Sequence, residues 1–225
     1  MNRKLLITTA LFLAVIMSSS PSMSVMAQGD YFVGGSVTVA SGTDPLTLNP
    51  LTYGSIYEGY IIDFVYDALI YLDTENNPIP VLCESWEHSV DNVFWNFTIR
   101  SGAIWHDGIP LTVDDIAFTW QLKLDDPGLP RRSWMFDDLV AYTLYPTENK
   151  IGVEFDFSPK SADVLLDFAT GTILPEHIWD SVADIYSFNN EEPIVSGPFV
   201  FEEWETGQYI KLSRNPNYYL DGPWI

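Results

Sequence analysis

The chain has 225 residues, 31 of them Asp or Glu and 10 Lys or Arg, for a formal charge of -21 at pH 7. So acidic a surface repels phosphate backbones, which excludes nucleic acid as a partner, and the plainest reason for the charge is solubility. With 47% hydrophobic residues and eight tryptophans the chain can bury a substantial core, while its single cysteine, Cys83, excludes an intramolecular disulfide.

Arg3 and Lys4 precede an apolar run from Leu5 to Met17, and Val25-Met26-Ala27 supplies a small residue for cleavage. The run is too short for a bilayer span of about 20 residues, so residues 1–27 are expected to be a removable export signal. Removing it takes the charge from -21 to -23, because Arg3 and Lys4 are its only charged residues. Val37 to Ala40 reads as an opening strand, broken by Ser41-Gly42-Thr43-Asp44-Pro45. Ile61, Phe64, Val65, Ala68, Leu69 and Leu72 recur at helical spacing, which predicts an amphipathic helix from about Ser55 to Tyr71. Asp73 to Pro80 is a turn-rich connector, and Cys83 within Leu82-Cys83-Glu84-Ser85-Trp86 reads as a small buried thiol.

The most informative stretch runs from Phe94 to Pro127. Trp95, Phe97 and Ile99 alternate with Asn96, Thr98 and Arg100, the period of a half-buried strand. Ser101-Gly102 turns the chain into a short strand, Ala103-Ile104-Trp105, closed by His106-Asp107-Gly108, where glycine can take a positive φ. Thr112 is a suitable N-cap with Asp115 three residues on, and Val113, Ile116, Ala117, Trp120 and Leu124 form one apolar face of the helix that follows. Asp125 to Met135 is a loop rich in Pro, Gly and Arg. Beyond it, Ile151, Val153, Phe155 and Phe157 alternate with Gly152, Glu154 and Asp156 as a strand with one wet face. Ser161 is expected to cap a short helix that reaches Phe168 and buries Val164, Leu165 and Phe168. Glu205-Thr206-Gly207 turns a closing hairpin.

Few of these residues suggest bond chemistry. His106 and Asp107 are neighbours in turn backbone and point to different sides, so they form no base–orienter pair. His88, His106 and His177 are scattered without metal-ligand spacing. Asp114-Asp115, Asp125-Asp126 and Glu202-Glu203 could serve acid–base hydrolysis, but adjacent acids are expected in so acidic a chain. Asn96-Phe97-Thr98 matches a glycosylation sequon and sits in mid-strand, which makes it structural. The aromatic content of 15% is more telling, because planar side chains suit a cleft that holds a ligand by stacking. Tyr53, Tyr57 and Trp134 stand in loops, away from the periodic faces.

The order of the residues carries a further signal. Phe97, Ile99, Arg100, Gly102, His106, Asp107, Gly108, Pro110, Leu111, Thr112, Asp114, Asp115 and Ile116 form a pattern that resembles the signature of the family 5 extracellular solute-binding proteins, which serve ABC importers. Leu48-Asn49-Pro50, Pro80 to Trp86, Ser196-Gly197-Pro198-Phe199 and Leu212 to Tyr219 resemble further elements of that family, in the same order. The resemblance implies an α/β fold of the periplasmic-binding-protein-like class II, two-lobed and here incomplete. Residues 28–60 would begin lobe I, 61–190 form a smaller mixed domain inserted in it, and 191–225 return to it, with the second lobe missing. It implies an exported, periplasmic or extracellular monomer that captures short peptides and delivers them to a membrane permease, without catalysis, metal or cofactor. An oligosaccharide-binding protein of the same family and a secreted acid-dependent hydrolase are the alternatives. The loops after Leu48-Asn49-Pro50 and after the central helix would face the cleft, which makes Tyr53, Gly54, Ser55, Ile56, Tyr57, Arg132, Ser133 and Trp134 the ligand-binding candidates. Charged anchors for ligand termini would come mainly from the later lobe.

Overall fold

A computed structural model describes residues 34–222, so the expected export signal lies outside the described residues. From Thr38 onward these residues fold as one unit. Val37 and Val39 are exposed and the segment Val37 to Ala40 pairs with no strand among the described residues, contrary to the sequence expectation. Alternation alone cannot make a strand where no neighbouring backbone meets its amides and carbonyls.

The first helix, α1 (Ile56–Val65), starts at Ser55 and stops six residues before the predicted end. Tyr66 is extended, and the chain continues as β1 (Ile70–Leu72), paired antiparallel with β2 (Pro78–Pro80). Tertiary partners outcompete helical propensity here: Gly197 donates to the Val65 carbonyl at 2.8 Å, Ser196 Oγ accepts from Asp67 N at 3.0 Å, and the Leu69 carbonyl takes Val81 and Cys83 amides.

Four strands then make the central antiparallel sheet: β3 (Cys83–His88), β4 (Phe94–Ile99), β5 (Leu139–Tyr145) and β6 (Lys150–Phe155), in the order β3-β4-β6-β5. Trp95, Phe97 and Ile99 are buried as the alternation requires. In β6 Ile151, Val153 and Phe155 are buried too, but so is Gly152, whose missing side chain leaves room for Asn96 Oδ1 on the neighbouring strand. Phe157 falls beyond the strand and is partly exposed. Cys83 is fully buried, and burial pushes its thiol up to about 12.

The helix α2 (Val113–Asp125) lies against this sheet, and its predicted capping box forms. Thr112 Oγ1 accepts from Asp114 N at 3.2 Å and Asp115 Oδ2 accepts from Thr112 N at 2.9 Å. Its apolar face joins an aromatic core centred on Phe168, whose ring lies 4.5 Å from Trp120, 4.9 Å from Phe136, 5.8 Å from Phe155 and 6.5 Å from Phe97. Truncating such a ring to alanine costs roughly 3–5 kcal/mol. Phe168 ends a π-helical turn, Val164–Phe168, that continues the short helix α3 (Ser161–Asp163). Ser161 is the first residue of α3, and Lys160 occupies the N-cap without a side-chain bond, so the expected serine cap is corrected. The four-residue helix α4 (Glu176–Trp179) precedes a hairpin of β7 (Phe199–Glu205) and β8 (Tyr209–Arg214). Gly207, at φ +75°, makes its turn.

Candidate functional site

The segment after Leu48 is pinned by two buried polar side chains. Asn49 Nδ2 donates to the carbonyls of Ile185 and Phe188, each at 2.8 Å, and its Oδ1 accepts from Leu51 N. Glu58, in the first turn of α1, gathers the amides of Leu46, Gly54 and Ser55 at 2.7–2.8 Å. Burial pushes its carboxyl up, but those amides outweigh burial and hold it below the usual carboxylate range. Ser55 completes the capping box, and Gly54 serves by its amide. Between these pins the chain presents Tyr53, Ile56, which is exposed, and Tyr57, whose hydroxyl packs over Gly42.

The loop after α2 comes back to this segment. Arg131 N donates to the Leu51 carbonyl at 3.3 Å and Arg131 Nε to the Tyr53 carbonyl at 3.1 Å, while the guanidinium lies 3.8 Å from the centre of the Tyr53 ring. The two candidate loops therefore meet, and the residue that joins them is Arg131. Arg132 turns the other way: its Nε donates to the Lys123 carbonyl and its Nη1 to Asp137 at 2.7 Å, with only 7% of the side chain exposed. Ser133 caps the short 3-10 turn Trp134–Asp137. Trp134 remains 47% exposed, donates Nε1 to Asp167 at 2.9 Å and tilts against Phe157. Sequence alone does not tell which of two adjacent arginines faces outward.

The family-like motifs have a different setting. Val195 N donates to His106 Nδ1 at 3.0 Å while His106 N donates to the Val195 carbonyl at 2.9 Å, so His106 joins the turn to the return segment through both its ring and its backbone. Asp107 pairs instead with His177, Nε2 to Oδ2 at 2.9 Å. His177 meets no hydroxyl or thiol among the described residues, so no nucleophile completes that pair. Also among the described residues, no group of three or more His, Cys, Asp or Glu is arranged to hold a metal ion.

Asp67, which the motifs do not flag, is the hub of the return segment. Its fully buried carboxylate receives the hydroxyls of Tyr71, Tyr218 and Tyr219. Burial pushes it up to about 6, against the lowering effect of those hydroxyls. Asn215 ties the same knot, donating Nδ2 to the Gly197 carbonyl at 2.9 Å. The sequence signal for Asp67 is a lone acid in the apolar run Phe64-Val65-Tyr66-Asp67-Ala68-Leu69.

The chain thus forms a mixed α/β scaffold that its motifs lock together, with aromatic and cationic groups left on the surface of two meeting loops. The profile of the bacterial extracellular solute-binding proteins, family 5 Middle, matches residues 77–225, and the chain belongs to that family. Oligopeptide-binding protein AppA of Bacillus subtilis (strain 168) is 31% identical over 236 residues, covering 100% of this chain and 42% of AppA. The structure of AppA from Bacillus subtilis in complex with a nonapeptide superposes with a TM-score of 0.73 at 27% identity, covering 83% of this chain and 38% of that one. A mannohexaose-bound periplasmic oligopeptide-binding protein from Thermotoga maritima gives a TM-score of 0.67 at 26% identity, covering 80% of this chain and 33% of that one. The chain thus spans less than half the length of these relatives.

Proposed function

We propose that this chain forms the first part of the solute-binding subunit of an ABC importer that captures short peptides outside the cytoplasm and hands them to a membrane permease. The observation that carries this reading is the meeting of two loops at Tyr53 and Arg131 on a family 5 scaffold, which gives a rigid aromatic and cationic surface. Similarity to a nonapeptide-bound relative favours peptide as the cargo. Residues 28–60 and 191–225 contribute lobe I, residues 61–190 form the inserted domain, and the protein works as a monomer. Tyr53, Gly54, Ser55, Ile56, Tyr57, Ser133 and Trp134 line or shape the near wall of the cleft, Arg132 buttresses it, and a second lobe supplies the far wall. Ligand contacts both lobes and so shifts the open–closed equilibrium by its differential affinity for the two states. No bond is made or broken.

Oligosaccharide cargo is the second reading, favoured by the mannohexaose-bound neighbour and by rings on which sugars stack. The two are separated by a thermal-shift screen of peptide and oligosaccharide libraries against the full-length protein. Stabilisation by peptides with sugars silent is the expected result; the reverse would replace peptide by sugar.

A further inference from the structure

Strand β4 carries a motif that solute capture leaves unused. Asn96-Phe97-Thr98 is the single N-x-S/T triplet in the 225 residues, and its place in mid-strand among apolar neighbours reads as structural from the sequence. The structure separates it from those neighbours. Trp95, Phe97 and Ile99 turn into the core, while Phe94, Asn96 and Thr98 share the outer face of the sheet, Phe94 51% exposed and the other two partly so. Opposite Asn96 stands Gly152, where a Cβ would lie 2.8 Å from Asn96 Oδ1, and Thr143 stands opposite Gly152 on β5. The glycine is the floor of an open groove of about 360 Å³ lined by Phe94, Asn96, Thr143, Tyr145 and Glu154. Asn49, Asn77, Asn92, Asn149, Asn190 and Asn215 each donate Nδ2 to a partner within the chain; among the described residues, Asn96 Nδ2 donates to none.

We propose that Asn96 is an N-glycosylation site and that the first sugar of its glycan seats in this groove. An amide that nothing in the chain engages is free to act as the acceptor, and the hydroxyl that the triplet requires lies at Thr98 on the same face. The co-reactant is a lipid-phosphate-linked oligosaccharide, supplied by the host's transferase outside the cytoplasm. Asn96 Nδ2 attacks the anomeric carbon of its first sugar; the C–N bond forms as the bond from that carbon to the phosphate oxygen breaks. The lipid phosphate leaves with the electron pair, and the amide proton passes to the transferase's base. β4 is paired on both sides, by β3 and β6, so the transfer takes place on the extended chain during export, before the sheet closes. In the folded protein a sugar on Asn96 lies between Phe94, two residues back along the strand, and Tyr145, 41% exposed at the far side of the groove. The C–H faces of a sugar stack on such rings, which removes apolar surface from water, and Thr143 and Glu154 offer partners for its hydroxyls. This inference rests on the export assumed in the reading above and on no property of the cargo.

The test is glycopeptide mass spectrometry of the full-length protein recovered from its own host, with exported and cytoplasmic fractions analysed separately. Exported wild type is expected to carry a mass increment of whole sugar residues on Asn96. Asn96→Gln and Thr98→Ala should both lose it, and Thr98→Ser, which restores the hydroxyl, should keep it. All three changes fall on partly exposed positions, and Thr98→Ser keeps the test sound even where one of the others folds poorly. The seat is read by melting: wild type from the host should melt above the same chain made in a strain without N-glycosylation, and Phe94→Ala should erase most of that difference. A difference that Phe94→Ala leaves intact would overturn the seat. Unmodified Asn96 in the exported protein, or an increment that survives Thr98→Ala, would overturn the site and leave the capture reading standing. A protein found unmodified and only in the cytoplasm would overturn both.

Discussion

Asp67 and Arg131 are each held against tyrosine, with opposite results. Asp67 has no exposed surface, and its carboxylate is answered by three tyrosine hydroxyls from β1 and from the segment after β8. Arg131 lies on the surface with part of its guanidinium unengaged among the described residues. The first arrangement closes a scaffold and the second leaves a handle. The recurring motifs belong to the closed kind: Ser196-Gly197, Asn215-Pro216 and His106 all bond to backbone from within the chain.

If the motifs are scaffold, their disruption should strike stability hardest. A Cβ on Gly197 would lie 2.6 Å from the Val65 carbonyl carbon and 2.7 Å from its oxygen. Gly197→Ala is therefore expected to cost roughly 3 kcal/mol or more in a denaturant-unfolding experiment, since backbone on both sides must shift. A cost below about 0.5 kcal/mol would mean that the return segment does not dock on α1 as described.

Asp67 allows a sharper test through pH. Its folded-state value of about 6 is above its ordinary 3.8, so the folded protein binds this proton more tightly than the unfolded chain. Stability from this group is then greatest below about pH 4 and falls as pH rises through about 6, by roughly 3 kcal/mol in all. Asp67→Asn should lack this component, so the wild-type minus variant difference should move in favour of wild type as pH falls from 7 to 4. Parallel unfolding curves across that range would show an unperturbed carboxylate. At the small end, Ser161→Ala should change stability by no more than about 0.5 kcal/mol, because Ser161 is not a cap.

What the sequence disclosed followed the range of the interactions involved. The Thr112–Asp115 capping box and the Trp95-Phe97-Ile99 alternation are decided within a few residues, and both form as read. The end of α1 is not, because the partners that draw Asp67 out of the helix include Ser196, 129 residues away. The strand β5 gave no periodic signal since, as an edge strand, it has no fully buried residue. In the candidate site the two loops were legible from their aromatics and the resemblance. Their junction was not, because it depends on Arg131 folding back on Tyr53 while Arg132 turns toward Asp137.

Trp134 offers the most direct test of the claim that these loops carry ligand. The measurement is titration of the full-length wild type and Trp134→Ala with the peptide that most stabilises the wild type. Nearly half of Trp134 is exposed, so the variant is expected to fold with a stability change within about 1 kcal/mol. Its affinity should fall by roughly 2 kcal/mol, the scale of burying a large side chain against a ligand. An affinity equal to that of wild type, in a variant shown to be folded, would contradict the account and remove this wall from the binding site.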